Sequence, residues 1–148
     1  MAEKVVSTLK DPTPLDSNHI EFASQIFNMP VENPGFVQLS EMGVINREFG
    51  DSVLTEVAYF NIGNASFATH PGETVPAMSL KTKDMMKNEG PKFVMGLGMD
   101  ALGYILKPYF FDKSKALPHA DYLCSVSVGP KTMDMILQVL TELIQANK

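Results

Sequence analysis

The stretch Val53-Leu54-Thr55-Glu56-Val57-Ala58-Tyr59-Phe60, continued by Asn61-Ile62-Gly63-Asn64 and by Ala65-Ser66-Phe67-Ala68-Thr69, decides the fold class. β-Branched and aromatic residues dominate it, and such side chains fit a pleated, half-buried surface. Gly63-Asn64 can supply the positive φ angles of a two-residue turn, so the chain is expected to run out along one strand and return along the next. The returning strand, Phe67-Ala68-Thr69-His70, enters Pro71-Gly72-Glu73, whose residue types mark a tight turn.

Beyond that turn, Pro76 to Asn88 reads as a helix, with Pro76 near its first turn, Met78, Met85 and Met86 as core contacts, and Gly90-Pro91 as its stop. Phe93 to Met95 is then a short apolar strand ending in Gly96-Leu97-Gly98-Met99-Asp100-Ala101-Leu102-Gly103-Tyr104. Pro108, Pro118, Asp112, Lys113 and Lys115 mark a surface loop, after which Tyr122 to Val128 is expected as strand. Met133, Ile136, Leu137, Leu140, Leu143 and Ile144 follow the i, i+3, i+4, i+7 rule, which predicts an amphipathic helix from Pro130 to Asn147 with one face on the sheet. Each side chain so buried is worth about 1.5–3 kcal/mol.

Upstream, Val5 to Leu9 reads as a short strand, Asp11-Pro12-Thr13-Pro14 as a break, and a new element begins after Asp16. Apolar spacing in His19 to Met29 suits a helix (Ile20, Ala23, Phe27) or a strand (Ile20, Phe22, Ile26). Phe36 to Met42 is expected as a short helix closed by Gly43. The fold class is therefore α/β: a mixed β-sheet with a hairpin and two or three packed helices, in a single domain over residues 1–148.

Composition narrows the function. The chain has 148 residues, 45% of them hydrophobic and 20% charged, which is the balance of a folded globular protein. Its net charge of -5 and lack of any basic run argue against nucleic acid, whose binding rests on Lys and Arg neutralising phosphates. The lone Cys124 cannot form an intrachain disulfide. No apolar run approaches the ~20 residues of a membrane span, so no transmembrane segment is expected. Met1-Ala2-Glu3-Lys4 lacks the pattern of a secretory signal, which leaves the cytoplasm as the default compartment.

Single motifs carry little. Gly96-x-Gly98-x-x-Ala101 superficially matches a dinucleotide fingerprint, but Pro108 leaves little room for the helix it requires, and glycines that permit a tight turn are the plainer reading. His70 beside Glu73, with His19 and His119, can be assembled on paper into a metal site, yet an isolated histidine is more often a hydrogen-bonded or surface residue. Asp100 and Asp121 read as caps or solvated loop acids, and Cys124 as an inert thiol in an apolar strand.

The combined pattern is more specific. Met29-Pro30-Val31-Glu32-Asn33-Pro34-Gly35-Phe36, Thr55-Glu56-Val57 with Ile62-Gly63, Pro71-Gly72-Glu73, Gly96-Leu97-Gly98-Met99-Asp100 with Gly103-Tyr104, and Gly129-Pro130 occur in that order. Together they resemble the later part of the catalytic domain of neutral, non-lysosomal ceramidases. The resemblance implies a zinc amidohydrolase acting on the N-acyl bond of ceramide-like lipids, with Glu73 matching the family's zinc-binding glutamate and Tyr104 its zinc-associated tyrosine. It also tips His19 to Met29 towards an extended strand. The family's paired histidine motifs and serine segment have no counterpart in this chain, and Met99-Asp100 stands where relatives carry Asn-Asp. The expectation is a ceramidase-like fragment, incomplete and inactive alone, that binds zinc weakly or not at all. A non-catalytic module that self-associates or binds an apolar ligand is the alternative. Either way a severed piece exposes a sheet edge or apolar face, so homo-oligomers are expected.

Overall fold

Strand β2 (Ser52–Ile62) is the spine of a four-stranded mixed sheet of order β1-β2-β3-β5. The computed structural model describes residues 2–147 apart from Thr13, Asp16 and Ser17, so parts of the expected proline break and of the element after Asp16 lie outside the described residues. In chain order the elements are α1 (Ala2–Thr8), β1 (Ile20–Pro30), α2 (Pro34–Glu41), β2, β3 (Ala65–His70), β4 (Glu73–Thr74), α3 (Pro76–Met85), β5 (Lys92–Gly96), β6 (Tyr104–Ile105), a 3-10 turn (Pro108–Phe111), α4 (Ala120–Ser125) and α5 (Thr132–Ala146).

The hairpin forms as expected. β2 and β3 pair antiparallel from Tyr59↔Ala68 to Ile62↔Ala65, and Gly63 alone takes the positive φ, at 56°. β1 pairs antiparallel with β2 along its full length, Ile20↔Ile62 to Pro30↔Ser52, so the ambiguous His19 to Met29 stretch is strand. β5 lies parallel to β3, Ser66↔Lys92 to His70↔Gly96, which makes the sheet mixed. Because strand side chains alternate between faces, Val53, Val57 and Tyr59 of β2 point with Ala23, Phe27 and Met29 of β1 towards the helices. There α5 lies across β1 and β2 and buries Met133, Ile136, Leu137, Leu140, Leu143 and Ile144, the six residues its periodicity picks out.

Several boundaries and two elements differ from expectation. α5 starts at Thr132, two residues after Pro130, with the Thr132 hydroxyl donating to the Gly129 carbonyl (2.6 Å). α3 stops at Met85, and Asn88 instead donates its side-chain amide to the Asn64 carbonyl of the hairpin turn. Val5 to Leu9 is not a strand: most of it belongs to the exposed helix α1, where the Ser7 and Thr8 hydroxyls donate back to the Lys4 carbonyl. Tyr122 to Val128 is not a strand either. Its first part is the short helix α4, so Leu123 and Cys124 are helical, and only Ser127 makes a bridge, to Gly103. The physical reason lies far away in sequence: the Asn33 carboxamide donates to the Cys124, Ser125 and Ser127 carbonyls, satisfying the end of α4 that would otherwise be orphaned.

Candidate functional site

Backbone stitching builds the site. The Leu97 amide donates to the Gly72 carbonyl (3.1 Å), Gly98 to His70 (3.0 Å), Leu102 to Pro71 (2.8 Å) and Glu73 to Gly103 (2.9 Å). The segment after β5 is thereby laced to the turn after β3. Gly72 is required here because a Cβ would stand 2.5 Å from the Gly103 carbonyl oxygen, and Gly103 (φ 79°) because its Cβ would meet the Val126 carbonyl oxygen at 2.1 Å. Leu97 and Met99 both hold positive φ, 56° and 70°, a conformation that costs non-glycine residues about 1–2 kcal/mol and that clusters at functional sites.

The product of this lacing is a two-stranded parallel ladder, β4 against β6, in which Glu73 is the register partner of Tyr104. Register partners present their side chains on the same face of a ladder, so the two sequence candidates are neighbours. Electrostatics agrees: the phenol of Tyr104 is pushed above its ordinary pKa, first by the Glu73 charge and then by Tyr122. Tyr122, on α4, meets the Tyr104 ring edge-on at 6.3 Å between centroids. Sequence reasoning missed Tyr122, since its local residue types favour a strand and its place depends on the Asn33 contacts. Glu73 is exposed and Tyr104 half-buried, so the pair faces solvent.

The other candidates fall elsewhere. His70 is fully buried between Thr74 Oγ1 (3.1 Å) and Thr82 Oγ1 (2.9 Å), and burial lowers its pKa to about 4. It is a neutral structural imidazole. His19 is an exposed partner of Glu21 on β1, and His119 precedes α4 with φ 59°. Cys124 donates its thiol to the Phe110 carbonyl (3.4 Å), and burial, with the Asp121 charge behind it, pushes its pKa up. Asp100 corrects the reading of a solvated loop acid. Its carboxylate takes a fork from Arg47 (2.5 and 2.9 Å) and a hydrogen bond from Thr55 (2.6 Å), while also capping the Ala101 amide (2.7 Å). Burial alone raises its pKa, but the hydrogen bonds from Arg47, Thr55 and Ala101 outweigh that and hold it below the ordinary range. Arg47, 53 residues away, gave no signal in the sequence.

The fold resembles part of a neutral ceramidase. The chain superposes on the neutral ceramidase of Pseudomonas aeruginosa with a TM-score of 0.54 at 12% sequence identity, over 86% of this chain and 28% of that one. At that identity the likeness is one of fold, and the chain spans under a third of the ceramidase's length. No protein-family model matches the chain, and no curated protein matches it. No helix among the described residues is long and apolar enough to cross a membrane.

Zinc can be tested against the donors present. A catalytic zinc takes three protein ligands and leaves one position open. Glu73 and Tyr104 offer two oxygen donors, and among the described residues no group of three His, Cys, Asp or Glu stands together. By themselves these residues do not fit a resident zinc ion.

Proposed function

We propose that the chain contributes Glu73 and Tyr104 to a ceramidase-like amidohydrolase site that grips the N-acyl amide of a sphingolipid-like substrate. The observation that carries this reading is the register of Glu73 with Tyr104 on the β4–β6 ladder. An amide presents one acceptor and one donor. The phenol, its pKa raised chiefly by Glu73, keeps its proton at neutral pH and donates to the carbonyl oxygen, while the carboxylate accepts from the N–H. A donor aimed at that oxygen gains strength as negative charge develops on it during amide cleavage. Hydrolysis, on this reading, draws further groups from beyond the residues described.

Calorimetric titration of the chain with a short-chain N-acylsphingosine tests the reading. Binding is expected, and Tyr104→Phe, which removes only the donor, is expected to weaken it about tenfold, the equivalent of a hydrogen bond worth about 1.4 kcal/mol. Absence of binding, or equal binding by the variant, contradicts the proposal.

A further inference from the structure

The face of the sheet turned away from α5 carries an aromatic ladder. Phe22, Phe60, Phe67 and Phe93 are successive register partners on β1, β2, β3 and β5. Their rings follow one another at 6.1, 4.8 and 4.9 Å between centroids, the last two pairs stacked. Towards the other end of the same face stand Ile26 and Leu54. This surface is open: Phe22 is 62% exposed, Ile26 65%, Leu54 60% and Phe93 45%.

Its size and chemistry select an occupant. Strands about 4.8 Å apart rising about 3.3 Å per residue give these four a footprint of about 500 Å², or about 1,000 Å² for two copies face to face. That reaches the ~1,000 Å² at which specific association begins, and the patch lies towards the upper end of what monomers ordinarily leave bare. Glu56 is the one charged side chain that strand alternation places on this face, and Arg47, which lines a hollow with Ile26, Leu54 and Glu56 at one end of it, is already tied to Asp100. An anionic membrane surface or a nucleic acid, both of which need cations beside the aromatic groups, is therefore a poor match. A second apolar sheet face is a good one, and every copy of the chain carries it.

We infer that two copies of this chain pack sheet against sheet through the Phe22–Phe60–Phe67–Phe93 ladder. The pair forms an aligned sandwich with the sheets about 10 Å apart and the helices of each copy outside. The inference is independent of the Glu73–Tyr104 pair, which lies on the separate β4–β6 ladder.

Sedimentation equilibrium of the full chain at high-micromolar concentration is expected to give twice the 16.3 kDa chain mass. Phe22→Glu and Phe93→Glu, each checked for folding by circular dichroism, are expected to halve the observed mass. Leu80→Glu, at an exposed apolar position on α3, is expected to leave the doubled mass in place. A single-chain mass for the unmodified protein overturns the inference, as does a doubled mass that survives both face substitutions or that Leu80→Glu also dissolves. A ladder of larger species indifferent to the face substitutions points to pairing along the free strand edges and overturns it too.

Discussion

One carboxylate lies in the segment that follows β5 and another in the turn laced to it, and the structure treats them in opposite ways. Asp100 is enclosed by Arg47, Thr55 and the Ala101 amide, its side chain 15% exposed. Glu73 is exposed, and its register neighbour is a phenol. A carboxylate whose lone pairs are filled by a guanidinium fork and a hydroxyl holds the chain together and has little left to offer a ligand. One that stands beside a protonated phenol keeps its accepting capacity for something that arrives. The difference teaches that the acid of the glycine-rich segment is structural, and that the turn acid is the one the proposed site draws on.

The largest test of this contrast is stability. Asp100→Ala takes the carboxylate from Arg47, which keeps only the Leu54 carbonyl, and from Thr55 and the Ala101 amide, and is expected to cost about 3 kcal/mol in urea denaturation, whereas Glu73→Ala should leave the midpoint where it is. Equal losses from both would erase the distinction.

Next comes pH. His70 lies on the structural side, three residues before Glu73, with a folded pKa of about 4 against an ordinary value near 6.5. The unfolded chain takes up its proton first, so stability should fall as pH drops from about 6.5 to about 4, by on the order of 2–3 kcal/mol. Asp100 acts lower: its depressed pKa gives stability that is present above the ordinary carboxylate pKa of about 3.9 and lost as pH falls towards the folded value. Denaturation series on His70→Gln and Asp100→Asn should each flatten only their own window.

A smaller effect sharpens the picture of the fork. Arg47→Lys keeps the charge and loses the bidentate geometry, and is expected to cost about 1 kcal/mol in thermal or urea unfolding. The smallest effect falls on the chemical side. Glu73→Gln removes the charge that raises the Tyr104 phenol, so ultraviolet titration of the tyrosines should show one phenol moving to lower pH. No movement would mean that the two side chains, although in register, point apart.

How much of this was legible depends on the range of the forces involved. The hairpin and α5 were readable because alternation in Val53 to Phe60 and helical spacing in Met133 to Ile144 encode burial locally. The adjacency of Glu73 and Tyr104 is different in kind, since it rests on long-range backbone bonds such as Glu73 to Gly103 and Leu102 to Pro71. Residue types place a carboxylate at one strand end and a tyrosine just past the next, and likeness to an enzyme family adds the roles given to the pair. α4 escaped because Tyr122, Leu123 and Val126 favour strand in isolation, and the Asn33 contacts that favour the helical turn come from about ninety residues upstream. Val5 and Val6 misled for the converse reason: β-branched residues make a strand only with a partner, and here the local Ser7 and Thr8 bonds to Lys4 accompany a helix. Arg47 was invisible because nothing near it in sequence announces an ion pair with Asp100.

The claim at the centre is that Glu73 and Tyr104 act on a ligand as one unit. A double-mutant cycle on N-acylsphingosine binding, comparing the unmodified chain with Glu73→Gln, Tyr104→Phe and the double variant, tests it most directly. Strong coupling, with the double variant losing clearly less affinity than the sum of the single losses, is the result expected. Strictly additive losses, or none, would contradict it.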